Sequence, residues 1–336
     1  MAFIEKLNPI HLGLKILVVT ASHTGNNVFC TPAIHFIKKH NPNAIIDVAT
    51  LNLRSAEVFE SNPDIDNVHV VKSSWAFNKL VKNYSLAICL NNKSTRILSR
   101  MHMQVITVPE LNAEVHHAEQ VLQFIAQLFN KEISDSDRQY VIGQSVGLRL
   151  SVIDDIHVND EDIIVNMHLG CGRIATHGWK FFDKGRYFHR KVWQIEEYIK
   201  LGHALLKASP RIRISITGTK HEAVLSNQFE KEVPGTINLV GKTSIQDVYR
   251  WFSKIDLSIS HDCGIFHIAV ASNVPTIGLF GATNVNLTGP YPLKKQHTII
   301  KKESMTQISV SEVLVAAHDL MKDFPKKNPN KNTLAA

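Results

Sequence analysis

The sequence predicts an α/β protein built as two doubly wound domains, each a parallel sheet with helices on both faces. Two observations carry this. Short apolar runs at residues 16–19, 45–48, 68–71, 86–90 and 105–108 alternate with segments of helix or loop length, and the alternation restarts after residue 150 with runs at 163–167, 212–217, 237–240, 257–260 and 276–279. Short, largely apolar runs of this length, separated by helix-length segments, fit strands covered on both faces, as parallel strands are. The 336 residues also exceed the about 100–200 that one core usually organises.

Between the runs, residues 117–129 set Val121, Leu122, Ile125, Leu128 and Phe129 at helical spacing, so a helix closes the first half. A polar stretch follows, which places the linker between Lys131 and Asp160. The expected domains are residues 1–150 and 151–323, the second with helices at 195–207, from near His221, and at 310–323. The remaining residues, 324–336, form a polar basic tail with nothing to bury and are expected to be disordered. In open parallel sheets, ligands bind beyond the carboxyl ends of the strands.

Composition narrows the function classes. Hydrophobic residues at 44% and charged residues at 20% argue against wholesale disorder. No apolar run approaches the ~20 residues that span a bilayer, and the first stretch lacks a signal-peptide cleavage pattern, so a cytoplasmic protein is expected. A net charge of +7 suits anionic partners such as nucleotides or phosphorylated lipid. Nucleic acid is not expected as a partner, because no binding module for it is recognisable. Cys30, Cys89, Cys171 and Cys263 are scattered without C-x-x-C spacing, so they read as reduced thiols rather than a zinc site or disulfide framework. No metal site and no cofactor are expected.

The most informative segment runs from Ser260 to Thr283: a strand, a turn carrying Asp262, Cys263 and Gly264, a helix with His267 near its start, and another strand. A helix N-terminus offers unpaired N–H groups and partial positive charge, which suits a diphosphate. Taken alone, the D-x-G-x-x-H pattern is better read as an aspartate capping the helix and a partly buried histidine with a satisfied hydrogen bond.

The whole segment resembles the C-terminal signature of glycosyltransferase family 9, the lipopolysaccharide heptosyltransferases, through Asp262, Gly264, His267, Ala269, Pro275, Thr276, Phe280, Gly281, Thr283, Gly289 and Pro290. Other blocks agree in order: Gly25 with Thr31, Pro32 and Ala33, then residues 42–47, His117 to Glu119, Lys191 to Trp193, Gly218 to Glu222, and Gly241 to Ser244. The resemblance covers most of residues 15–290. It implies a GT-B fold, with two Rossmann-like domains whose parallel sheets face a central cleft. It further implies an ADP-heptose donor held by the second domain and a lipopolysaccharide-core acceptor bound by the first. Transfer would invert the anomeric carbon without metal, with the donor as substrate rather than cofactor and peripheral association at the inner membrane face.

On this resemblance the donor residues are His168, Gly170, Lys191, Glu222, Thr243, Asp262, Cys263, Gly264 and His267. Lys191 and the amides opening the Gly264 helix are suited to stabilise the departing diphosphate, although Lys191 alone also fits a solvated lysine among Arg186, Arg190 and Lys200. Glu222 matches a position that meets the nucleotide, where a carboxylate accepts ribose hydroxyl protons; as a bare residue it equally fits a helix-start acid. His168, Gly170 and Gly172 match a small-residue loop near the donor phosphates.

The match breaks at the base. The family carries Gly-Asp after the first strand, and the aspartate is thought to deprotonate the acceptor hydroxyl; here the pair is Gly25-Asn26. An amide does not usefully accept that proton. Three readings follow, in this order: His23, three residues away on the same loop, supplies the base; the reaction runs slowly through a dissociative transition state; or transfer has been lost. The catalytic candidates are therefore Asn26, His23 and Lys191. Acceptor candidates are Gly25, Asn27, Lys93 and Arg96, the last two also readable with Arg100 as a solvated basic helix face. The expected function is an inverting, metal-independent transferase of heptose or a related sugar; the alternative is a weakened or inactive homologue that binds the nucleotide sugar.

Overall fold

Strands form where the apolar runs lie, and they assemble into two sheets. The computed structural model describes residues 14–20, 22–91, 105–143, 151–172, 174 and 189–323. It divides into two units, Met1–Val146 and Gly147–Ala336.

The first unit holds β1 (Lys15–Val19), β2 (Ile45–Thr50), β3 (Asn67–Val70), β4 (Leu86–Cys89) and β5 (Ile106–Thr107) in a five-stranded sheet of order β3-β2-β1-β4-β5. Every pairing in it is parallel. The order reverses between β1 and β4, which puts the natural crevice beyond their carboxyl ends. Helices α1 (Thr24–His40), α2 (Leu53–Ala56), α3 (Ser74–Val81) and α4 (His117–Phe129) connect and cover these strands. Helix α1 packs along α4 and buries Val28, Phe29, Ala33, Ile34, Phe36 and Ile37. Pro32 lies inside α1.

The second unit holds β6 (Ile163–His168), β7 (Ile212–Thr217), β8 (Ile237–Asn238), β9 (Leu257–His261), β10 (Thr276–Phe280) and β11 (His297–Lys301) in the order β11-β10-β9-β6-β7-β8. All its pairings are parallel too. Its helices are α5 (Ile195–Ala208), α6 (Ala223–Glu232), α7 (Ile245–Phe252), α8 (Gly264–Ala271), α9 (Val285–Thr288) and α10 (Val310–Asp323). The switch point falls between β6 and β9, where His168 stands in register with Ser260. The loops that leave these two strands are therefore neighbours, and they carry His168 to Gly172 and Asp262 to Gly264.

Strand β11 is not anticipated by the sequence reading. It is the sheet edge, and of its residues only His297 is buried, so it lacks the apolar run that marks an interior strand. The helix expected from near His221 begins as a 3-10 turn, Lys220–Glu222, which leads into α6.

Trp193 shows how the core holds the site. It is fully buried, its indole Nε1 donates to the Ile308 carbonyl at 3.0 Å, and its ring meets Tyr198 edge-on at 4.9 Å. The segment bearing Lys191 is thus pinned to the core two residues away. Trp193→Phe removes the donor and leaves a buried carbonyl without this partner, and is expected to cost about 1–3 kcal/mol; urea denaturation of both proteins measures it.

Candidate functional site

The loop after β9 turns directly into α8. Cys263 is the N-cap residue, and it makes no side-chain hydrogen bond to the helix. Asp262 is thus not the cap, which removes the simplest structural reading of that aspartate. Its carboxylate instead takes two partners: Lys191 Nζ donates to Oδ2 at 2.7 Å, and His267 Nε2 lies 3.6 Å from Oδ1. The Asp262 side chain is 6% exposed and that of Lys191 30%. Burial alone would raise the carboxyl's pKa, but His267 and Lys191 hold it far below the usual carboxylate range. The opening turn of α8 thus combines uncapped amides with a lysine that reaches solvent.

Beside it, at the end of β6, His168 is buried; its Nδ1–H donates to the Thr217 carbonyl at 2.8 Å, and its Nε2 is 3.6 Å from Glu222 Oε1. Burial disfavours its charge, yet Cys263, Glu222 and the Thr217 carbonyl together push its pKa up to about 9. Glu222 is 3% exposed. Its Oε2 accepts the Thr219 N–H within a capping box. Two glycines make room for it: a Cβ on Gly170 would stand 2.3 Å from Oε1, and one on Gly218 2.7 Å from Oε2.

Gly170→Ala forces Glu222 from this niche and is expected to cost about 1–3 kcal/mol. In a Glu222→Ala background the same change should cost far less. Denaturation of the four proteins in the cycle measures the coupling.

Two residues here, His261 and Tyr198, escaped the sequence reading. His261, fully buried at the end of β9, places Nδ1 3.2 Å from the Tyr198 hydroxyl, which also donates to the His168 carbonyl at 3.0 Å. Burial and the neighbouring His168 push the pKa of His261 down to about 3. The only sequence signal was a histidine directly before Asp262. Thr243, half-buried between β8 and α7, follows Gly241, whose φ of +73° is a left-handed conformation that glycine adopts without strain.

These histidines predict a stability maximum near pH 6.5. His261 stays neutral in the fold while the unfolded chain binds a proton below about 6.5, so stability falls as pH drops from there towards 3. His168 contributes in the opposite sense: its stabilisation is complete below about 6.5 and is lost as pH rises through 9. Within its window each group shifts stability by about 1.4 kcal/mol per pH unit. Melting temperature measured against pH should fall on both sides, with His261→Gln flattening the acid limb and His168→Gln the alkaline one.

In the first unit, β1 ends near the start of α1. The sequence reading set Gly25 and Asn26 on a loop; they lie instead in the first turn of α1, half-buried. His23 is the exposed N-cap, its Nδ1 3.2 Å from Ser22 Oγ. Asn27 corrects an expectation. It is fully buried and its amide donates to the Ser55 carbonyl at 2.9 Å, so helix geometry turns it into the core rather than towards an acceptor. Lys93 and Arg96 lie outside the described residues, as does the tail at 324–336.

The four cysteines are free thiols, three buried and Cys263 half-buried. Among the described residues no group of three or more His, Cys, Asp or Glu side chains is placed to hold a metal ion. No described helix is long and apolar enough to cross a membrane.

The profile of glycosyltransferase family 9 (heptosyltransferase) matches residues 179–316. That span contains Lys191, Glu222 and the Asp262 to His267 turn. Over those residues the chain resembles glycosyltransferase family 9. It is 27% identical over 116 residues to lipooligosaccharide heptosyltransferase 2 of Haemophilus influenzae, a match covering 33% of this chain and 32% of that protein. The matched region thus spans about a third of that curated relative. The likeness in fold extends further. The chain superposes on a family 9 glycosyl transferase from Veillonella parvula with a TM-score of 0.74 at 16% identity, covering 92% of this chain and 97% of the other. It superposes on E. coli heptosyltransferase WaaC with ADP with a TM-score of 0.67 at 18% identity, covering 91% and 100%. These likenesses establish the fold, two parallel-sheet α/β units of the GT-B class.

Proposed function

We propose that this chain is an inverting, metal-independent glycosyltransferase that moves heptose or a related sugar from ADP to a lipopolysaccharide-core acceptor at the cytoplasmic face of the membrane. The carrying observation is the opening of α8, where uncapped amides stand beside a lysine held 2.7 Å from Asp262. In this reading the second unit, with Gly170, Thr243, Cys263 and Gly264 near the phosphates, is the donor domain. The first unit, with Gly25, Lys93 and Arg96, receives the acceptor. An acceptor hydroxyl attacks the anomeric carbon, and the bond from that carbon to the diphosphate oxygen breaks with its electron pair leaving on ADP. Lys191 and the α8 amides stabilise the charge that develops. The hydroxyl proton passes to a base at the start of α1, where His23 is the titratable candidate.

Glu222 braces the Gly170 loop in this geometry, so a ribose contact would be made at the oxygen that faces His168. Incubating the purified chain with ADP-heptose and truncated core acceptors tests the proposal: acceptor-dependent ADP release supports it, and its absence across all acceptors counts against transfer. A second reading, a homologue that binds the donor without turning it over, is favoured by Asn26 at the position of the family's carboxylate. It predicts ADP-heptose binding by calorimetry with no release.

A further inference from the structure

We infer, on the reading of the second unit as the donor domain, that Tyr198 is a positioning residue of that site. Its hydroxyl, tied to His168 and His261, sets the spacing of the two loops that would hold the diphosphate. Strands β6 and β9 pair in register as far as His168 and Ser260. Beyond that row the two chains part, one towards Gly170 and the other towards Asp262 and α8, and the next link between them is a side chain. The Tyr198 hydroxyl donates to the His168 carbonyl at 3.0 Å and lies 3.2 Å from His261 Nδ1. A phenol has one proton to give. With that proton on the carbonyl, the hydroxyl oxygen accepts from the Nδ1–H of His261, an imidazole that burial and His168 hold neutral. One oxygen therefore joins the last residue of β6 to the last residue of β9.

A third segment meets the same ring. Trp193 packs edge-on against Tyr198 at 4.9 Å, and Lys191, two residues earlier, reaches Asp262, the residue after His261. Tyr198 thus touches or neighbours each of the three segments that bear Gly170, Lys191 and Asp262. Helix α5 holds it there through the buried face of Tyr198, Leu201 and Leu205, spaced for one side of a helix. Tyr198 and His261 are both fully buried, so water does not compete for either group. A phenylalanine would fill the same space; what the hydroxyl adds is the pair of bonds between the loops. Those loops carry donors that must stand ready for an anion, and a site of that kind loses most of its effect when its donors drift.

The test is ADP binding to the full chain by calorimetry, at a temperature where circular dichroism shows every variant folded. Tyr198→Phe should weaken ADP binding by roughly tenfold, part of the about 10²-fold that a 1 Å misplacement can cost. A merely structural hydroxyl would lower the melting temperature and leave the affinity of the folded protein unchanged. His261→Leu, which removes the Nδ1 donor, should show the same loss, whereas His261→Asn keeps an N–H donor near that position and should retain most of the affinity. The double variant Tyr198→Phe, His261→Leu should lose no more than the worse single variant, because both changes break one link. Where Tyr198→Phe does not fold, the comparison of His261→Leu with His261→Asn decides alone. If the unchanged chain binds ADP and the variants bind it equally well, or the two losses add, the positioning role is overturned and the donor reading stands. If the unchanged chain binds no ADP, the donor reading falls and the positioning role with it.

Discussion

Lys191→Met is expected to weaken ADP binding by roughly 10–100-fold, since a hydrogen bond to a charged group is worth about 1.5–3 kcal/mol. Two effects add. The methionine no longer attracts the diphosphate, and it leaves the Asp262 carboxylate, 6% exposed, without its 2.7 Å partner. A buried carboxylate freed of its cation repels any phosphate brought to α8, so the aspartate that now holds the lysine in place becomes an obstacle. Calorimetry with ADP measures the loss. The Lys191→Met, Asp262→Asn double variant should recover part of it, because the repulsion disappears with the charge. If the single variant binds ADP as well as the unchanged chain, the diphosphate does not rest against this helix.

The interior of both sheets was legible because parallel strands covered on both faces are largely apolar. Residues 212–217 read as a strand and form β7, and 117–129 read as a helix and form α4. Strand β11 was not legible, since an edge position relaxes that demand. Within the site, the residues that came forward were those marked by the family pattern, and the sequence could not say what they touch. That Cys263 rather than Asp262 caps α8 depends on the turn's dihedrals, which no residue type dictates. The Tyr198–His261 contact joins residues 63 positions apart. It exists because α5 lies over the switch point, and helical spacing alone marks Tyr198 simply as core. Asn27 was misplaced for a related reason: starting the helix at Thr24 rotates it onto the face of Thr31, one turn away, and both are fully buried.

Asn26→Asp carries the other large effect and tests what this chain has in place of a base. Asn26 lies in the first turn of α1, which contains no acidic residue, and the N-cap His23 makes no side-chain cap. A carboxylate there meets the positive end of the helix and should stabilise the fold by about 0.3–1 kcal/mol, visible as a small rise in melting temperature. The same field holds it ionised at neutral pH, the state a general base requires. If transfer is limited by deprotonation of the acceptor hydroxyl, turnover should rise by about 10²–10⁴-fold, the usual worth of a positioned base. ADP affinity should not change, because the substitution lies in the first unit and Lys191 in the second. The two readouts separate the alternatives. Higher melting temperature with unchanged turnover means that the carboxylate is seated and not needed, so His23 or a dissociative transition state serves, and His23→Gln then decides between them: a loss of turnover with the acid limb of the pH–rate profile abolished identifies the imidazole. A gain in turnover with an ordinary carboxylate pKa in the rate profile identifies Asn26 as the site where base catalysis was given up.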